Sequence, residues 1–287
     1  MQTGRFRARA RVGLKAAAAA VACGLVVWAC AQAPYTKRSQ LILITEATES
    51  ALGSSAYRDV LRREPVTQDP RLLTPVRAVG ERIAAASDRK GYTWEFAVIE
   101  KDMANAFALP GGKVAVYTGI FPIAQDTAGL AAVIGHEVGH VLARHAAERI
   151  SQSFVLQIVL TSADVALGTQ SPTTRNAILQ ALGLGATVGV ALPFSRAQEA
   201  EADYIGLMLM AKAGYPPRAA LDMWERFSKA DKRRPPEWLS THPDPASRAR
   251  NIRRWLPEAE RYLQSAPPAP IDPLPQVEKE KAEDATG

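Results

Sequence analysis

Residues 135–145 read "GHEVGHVLARH", and the fold turns on whether they form a helix. If they do, His136 and His140 lie about 40° apart round the axis and share a face. Two imidazoles so placed can take one tetrahedral zinc ion, with Glu137 beside them to accept a proton from metal-activated water. This is the H-E-x-x-H signature, in which each fixed position has a chemical reason. Chance is the competing account, since such a pattern arises in on the order of a percent of chains at average usage. The flanking sequence favours a packed helix. Leu130, Ile134, Val138 and Val141 form an apolar stripe, and Asp126 stands where an N-cap would start a helix running to about Ile150. Gly135 and Gly139 each cost about 1 kcal/mol against alanine in a helix interior. Two of them one turn apart predict that another backbone approaches closely. His145 falls about 140° round from His140. It is read as a surface histidine, or one that supports a ligand from behind, and not as a ligand.

A catalytic zinc takes three protein ligands and keeps one position open, so a third donor is needed. The stretch "SRAQEAEADYIGL", residues 195–207, offers three acids. In a helix Glu199 and Asp203 share a face while Glu201 points almost oppositely. Glu199 is therefore the candidate third ligand, and Asp203 the candidate partner that orients a histidine ligand. Glu201 is the acid expected to tolerate alanine. A solvated acidic helix face is the competing reading of all three.

The charge of the chain is concentrated at its start. Of a net charge of +6, five positive charges (Arg5, Arg7, Arg9, Arg11 and Lys15) precede residue 30 with no acid among them. The rest is nearly neutral, so no footprint for nucleic acid is present. The basic start and the apolar run "AAAAAVACGLVVWACAQ" read as an export signal over residues 1–29, with an N-terminal membrane anchor as the alternative. "VWAC" resembles a bacterial lipobox, which implies cleavage before Cys30 and acylation of that cysteine. Both cysteines fall in this region, so the mature chain can form no internal disulfide.

Further along, residues 30–45 read as a linker and 46–265 as one domain. Helices are expected from about Glu46 to Arg63 and over "DPRLLTPVRAVGERIAAASDR", and a strand in "YTWEFAVIEKD". Two strands flank the turn Pro110-Gly111-Gly112. Residues 154–193 are read as two helices, within which "ALGLGATVGVALPF" is too short for a membrane span. The helix begun at Ser195 should reach about Lys212, and "GYPPRAALDMWERFSKA" should form another, started by its prolines. The Pro-rich, then charged stretch from residue 266 to 287 is read as disordered.

Four ordered motifs, "NAFALPGGKVAVYTG", "HEVGHVLARHAAER", "SRAQEAEADYIG" and "THPDPASRARNI", together resemble the zinc metallopeptidases of family forty-eight, the HtpX, BepA, LoiP and Oma type. "CAQAPYTKRSQLILITEATES" resembles the start of that family's bacterial lipoprotein members. The resemblance implies an α+β, predominantly helical, gluzincin-like fold with a small antiparallel sheet. It also implies one catalytic zinc on His136, His140 and Glu199, with Glu137 as general base. His242, which sequence alone reads as an ordinary loop histidine, would approach the metal with Arg248, either to stabilise the oxyanion or to cap zinc at rest. Val114, Ala115 and Val116 would form the edge strand on which an extended substrate pairs. The multiple spans and the helical-repeat domain of other members are not seen in the sequence. The expectation is a lipid-anchored endopeptidase on the periplasmic face of a bacterial membrane, the outer one, acting on unfolded or misassembled envelope proteins. A zinc-stabilised assembly factor with latent proteolysis is the alternative.

Overall fold

The computed structural model describes residues 30–155, 194–229, 236–242 and 245–276. In chain order these form β1 (Cys30–Gln32), β2 (Ser39–Leu41), α1 (Glu46–Leu61), α2 (Pro70–Ala86), β3 (Glu95–Ile99), β4 (Ala106–Leu109) and β5 (Lys113–Tyr117). The single turn α3 (Phe121–Ala124) leads into α4 (Thr127–Leu142). Later come α5 (Arg196–Lys212), α6 (Arg218–Lys229), the single turn α7 (Trp238–Thr241) and α8 (Pro245–Gln264). The fold is α+β and mostly helical, as expected. The two helices expected within 154–193 fall almost wholly outside the described residues. Among the described residues, no helix is long and apolar enough to cross a membrane.

The larger sheet has the order β3-β5-β4. β4 and β5 pair antiparallel round the Pro110–Gly112 turn, whereas β3 runs parallel to β5, so the sheet is mixed. Gly111 and Gly112 both sit at φ 86°, a conformation that glycine adopts without a Cβ penalty. Alternation along β5 sends Val114 and Val116 into the core shared with α2 and α4, and Ala115 and Tyr117 into a second core beneath α1. β5 is therefore buried on both faces and paired on both edges. This corrects the assignment of Val114, Ala115 and Val116 as an edge strand open to substrate. Residues 65–67 cover the outer side of β3, where the Thr67 N–H donates to the Val98 carbonyl at 3.0 Å. The edge that remains is β4, which packs along α4.

Every residue of α4 is buried, and Asp126 caps it by accepting from the Gly129 N–H at 2.8 Å. The helix stops at Leu142 instead of running to Ile150. Arg144 adopts φ 60° and turns the chain, which is helical again over 145–155. Its guanidinium is tied to Glu49 at 2.9 Å and to the Ile44 carbonyl at 3.2 Å, offsetting the left-handed backbone. α5 starts with a capping box between Ser195 and Gln198. It packs against α4 at backbone contact: a Cβ on Gly139 would lie 2.6 Å from the Ala202 carbonyl oxygen, and one on Gly206 2.7 Å from Gly135. The close approach that the paired glycines predict is met by α5.

Residues 266–274 return to the body, where disorder is expected from the composition. The Thr127 N–H donates to the Asp272 carbonyl at 3.0 Å, the Leu274 N–H to the Gln125 carbonyl at 2.9 Å, and Leu274 joins the core. The strap meets the start of α4. Prolines held against a surface leave few N–H groups needing partners, so a Pro-rich composition is as compatible with a docked strap as with disorder. Residues 277–287 lie outside the described residues.

Candidate metal centre

Four side chains converge between α4, α5 and α7: His136, His140, Glu199 and His242, all buried, with one donor atom of each within 4.8 Å of the others. His136 Nε2 lies 3.0 Å from His140 Nε2 and 3.1 Å from His242 Nδ1. Glu199 Oε1 lies 3.0 Å from His242 Nδ1 and 3.4 Å from His140 Nε2, and Oε2 lies 3.6 Å from His136 Nε2. A tetrahedral zinc with bonds near 2.05 Å sets its ligand atoms about 3.3 Å apart. These separations straddle that value, so the donor set fits zinc in spacing as well as in chemistry.

The protonation states agree with ligation. Burial holds His136 far below the ordinary imidazole range and His140 at about 3, so both rings are neutral and offer lone pairs. Burial works to raise the Glu199 carboxyl, but His242, Arg248 and His140 outweigh it and keep it ionised. Glu199 Oε2 is buried without a hydrogen bond even though Arg248 Nη1 stands 2.7 Å away. That contact is an ion pair off hydrogen-bond geometry, and it leaves the oxygen a free lone pair.

Each ligand is held from behind. Asp203, one turn beyond Glu199 on α5, lies 3.1 Å from His136 Nδ1. Arg248 of α8 forks onto Asp203, with Nε to Oδ2 at 2.7 Å and Nη2 to Oδ1 at 2.5 Å. Its Nη2 also lies 2.7 Å from His136 Nδ1, but with Nε2 turned to a metal that ring nitrogen carries a proton, so Asp203 is its acceptor. The guanidinium rests 3.6 Å over the Trp224 ring, a face that stabilises a buried cation. Arg248 thus meets the carboxylates of Glu199 and Asp203.

Glu137 points into the site beside the ligands. Its Oε1 accepts from Trp238 Nε1 at 2.6 Å and lies 3.4 Å from His242 Nε2. Burial raises the Glu137 carboxyl to about 7. Phe194 lies with its ring centre 4.1 Å from that of His140 and stacks on His242 at 5.5 Å.

The structure decides between the two readings of His145 and corrects that of Glu201. His145 is fully buried, the one of its two readings that supports a ligand from behind. The break at Arg144 frees it from the phase of α4, and its Nδ1 reaches His140 Nδ1 at 2.8 Å. Glu201 does not lie on a solvated face. It is buried and paired with His145 at 3.1 Å and with Arg38 at 2.7 Å, and Thr36 also donates to it. Burial would raise its carboxyl, but the bonds from His145, Thr36 and Arg38 hold it at about 2. Helical phase separated the acids correctly, but both faces of α5 are covered. Sequence reasoning passed over Trp238, Trp224, Phe194 and Arg38. Trp238 stands one turn before His242, which is a usable signal; the others have none in local sequence.

Comparison with known proteins follows the same residues. The family model described as Peptidase family M48 matches residues 70–256. The mitochondrial metalloendopeptidase OMA1 of Schizosaccharomyces pombe is 36% identical over 79% of this chain and 66% of its own length. That of Saccharomyces cerevisiae is 33% identical over 82% of this chain and 71% of its own. The beta-barrel assembly-enhancing protease of Escherichia coli is 30% identical over 71% of this chain and 43% of its own length. The chain thus spans about two thirds of the yeast relatives and under half of the bacterial one. These matches overturn the expected location and branch. The two yeast mitochondrial proteins match at higher identity and over more of the chain than the bacterial one, so a lipid-anchored protein of the bacterial periplasm or outer membrane is not supported. Basic, acid-poor leaders also mark transit peptides, which is why the leader could not discriminate. Cys30, read as an acylation site, opens strand β1 opposite Leu41.

Proposed function

The chain belongs to peptidase family M48, and from that premise we propose that it is a zinc metalloendopeptidase whose metal is held by His136, His140 and Glu199. The observation that carries this reading is the convergence of neutral imidazoles and an ionised, unsatisfied carboxylate at tetrahedral spacing. When bound, zinc supplies Lewis-acid polarisation of the scissile carbonyl and of the attacking water. Glu137 accepts the water's proton on Oε2, while Trp238 holds Oε1 in place, and then delivers it to the leaving nitrogen. A carboxyl raised to about 7 suits a base that must also act as an acid near neutrality. Arg248 and Asp203 keep Glu199 and His136 aimed at the metal.

An extended substrate would add to the edge of β4, beside α4, through main-chain hydrogen bonds. Such pairing requires a segment free of its own secondary structure, so unfolded or misassembled proteins are the proposed substrates.

One observation favours a second reading, in which proteolysis is latent. His242 Nδ1 stands among the donor atoms, so protein side chains can fill all four corners, as in a structural zinc site. Metal analysis with a casein-cleavage assay tests both. Glu137→Gln is expected to retain one zinc and lose about 10²- to 10⁴-fold in kcat/KM; cleavage at the wild-type rate would end the endopeptidase reading. A His242→Ala protein that cleaves faster supports the latent state, and an inactive one supports a direct role for His242.

A further inference from the structure

We propose that Arg38, on the hairpin formed by β1 and β2, is a positioning residue of the metal centre. It acts through Glu201 and His145 to hold His140 with its proton on Nδ1 and its Nε2 lone pair toward the metal. This rests on the metal reading above, and deepens it.

The contacts form one continuous chain. Arg38 Nε donates to Glu201 Oε2 at 2.7 Å, while Nη1 and Nη2 fork onto Glu148 at 2.8 and 2.7 Å. Glu148 is fixed in turn by Gln198 of α5 at 2.8 Å. Glu201 also accepts from the Thr36 hydroxyl, two residues before Arg38. On its other side Glu201 Oε2 meets His145 Nε2 at 3.1 Å, and His145 Nδ1 meets His140 Nδ1 at 2.8 Å.

Donor and acceptor roles follow in order. A carboxylate engaged by a guanidinium only accepts, so His145 Nε2 carries the hydrogen. His140 turns Nε2 toward the other donor atoms of the site, His136 Nε2 and Glu199 Oε1, so its hydrogen sits on Nδ1 and His145 Nδ1 accepts it. That arrangement leaves His140 Nε2 unprotonated, the form that binds a metal. His136 receives the corresponding support from Asp203 and Arg248. The two histidine ligands thus each have a carboxylate–arginine anchor, from opposite sides of α5. For His140 the arginine comes from the N-terminal hairpin, more than a hundred residues away in sequence. Without Arg38, Glu148 and Glu201 would lose the cation they share. The acceptor that sets the His145 ring would then be free to turn.

The test uses the full chain, stripped of metal and titrated with zinc alone against a chelating indicator. Side-chain nitrogen NMR reads the histidine tautomers in parallel. Wild type is expected to bind one zinc and to show His140 protonated on Nδ1. Arg38→Met is expected to bind zinc about 10- to 100-fold more weakly and to lose that single tautomer, with Arg38→Lys recovering part of the affinity. Arg62→Met, an exposed residue of α1's end paired with Asp59, should change neither. A folded Arg38→Met protein with wild-type affinity and tautomer overturns the proposal, because a purely structural role would alter melting alone. Should Arg38→Met not fold, Thr36→Val removes one donor to Glu201 and leaves the ion pair intact. It is expected to weaken zinc about three- to tenfold, and no change would equally overturn the proposal. If wild type binds no zinc, the metal reading itself fails, a result distinct from either.

Discussion

Glu201 shows how a single residue's role depends on what covers it. Spacing put it on the face of α5 opposite Glu199, and an opposite face usually means solvent. Here that face is closed by the β1–β2 hairpin and by the helical stretch 145–155, so Glu201 joins Arg38 to His145. Glu201→Ala would leave His145 without its acceptor and Arg38 with one carboxylate fewer. The expected loss is about 3 kcal/mol, within the range for removing one partner of a buried pair, measured by denaturant unfolding of the metal-free protein. A change under about 0.5 kcal/mol, usual for surface positions, would return Glu201 to the solvated face. His136, Glu137 and His140 were legible because their chemistry is packed into one helical turn. The place of Trp238 one turn before His242 was a usable signal, but its bond to Glu137 was not legible, because that partner is far away in sequence.

Among the elements, α4 and α5 matter most, since one carries two of the proposed metal ligands and the other the third. Their separation is set by small residues: Gly135 and Gly139 on α4 face Gly206 and Ala202 on α5. Gly139→Ala would gain about 1 kcal/mol in helix propensity. Its Cβ would meet the Ala202 carbonyl oxygen at 2.6 Å, and a backbone atom cannot yield without moving α5. Overpacking of this kind costs about 1–3 kcal/mol, so the net outcome is a lower melting temperature and weaker zinc binding as Glu199 shifts. Gly91→Ala, with nothing within 4 Å of the added Cβ, is the control expected to leave zinc binding unchanged. The glycines signalled a close approach, and the helical phase of α5 was readable. The break at Arg144 was not, because it depends on Glu49 and Ile44, contributed by residues about a hundred positions earlier.

For the molecule as a whole, the buried ionisable groups set a pH dependence. Burial depresses His136, His140 and His145 in the folded state, so below about 6.5 the unfolded chain binds protons that the folded one refuses. Each such histidine removes about 1.4 kcal/mol of stability per pH unit as pH falls from there towards its folded pKa. Glu137, raised to about 7, and Asp203 and Glu49, also raised by burial, act in the opposite sense above about 4.5. His136 and His140 act throughout pH 5 to 6.5, more strongly toward pH 5, and His145 acts in the same sense, while Arg248 and Arg144 limit the rise of Asp203 and Glu49. The metal-free protein is therefore expected to unfold at lower denaturant at pH 5 than at pH 7, and an equal or higher midpoint at pH 5 would contradict this balance. Much of the plan was legible in local pattern: the helical class, the two-histidine turn, Glu199 and Asp203 on one face, and the cap at Asp126. Those features depend on residues within a few positions of one another, where periodicity and capping chemistry act directly. The central place of β5, the docking of residues 266–274, the role of His145, and the hairpin arginine behind His140 all required the folded chain. Each depends on which distant surface covers a given face, and no local period encodes that.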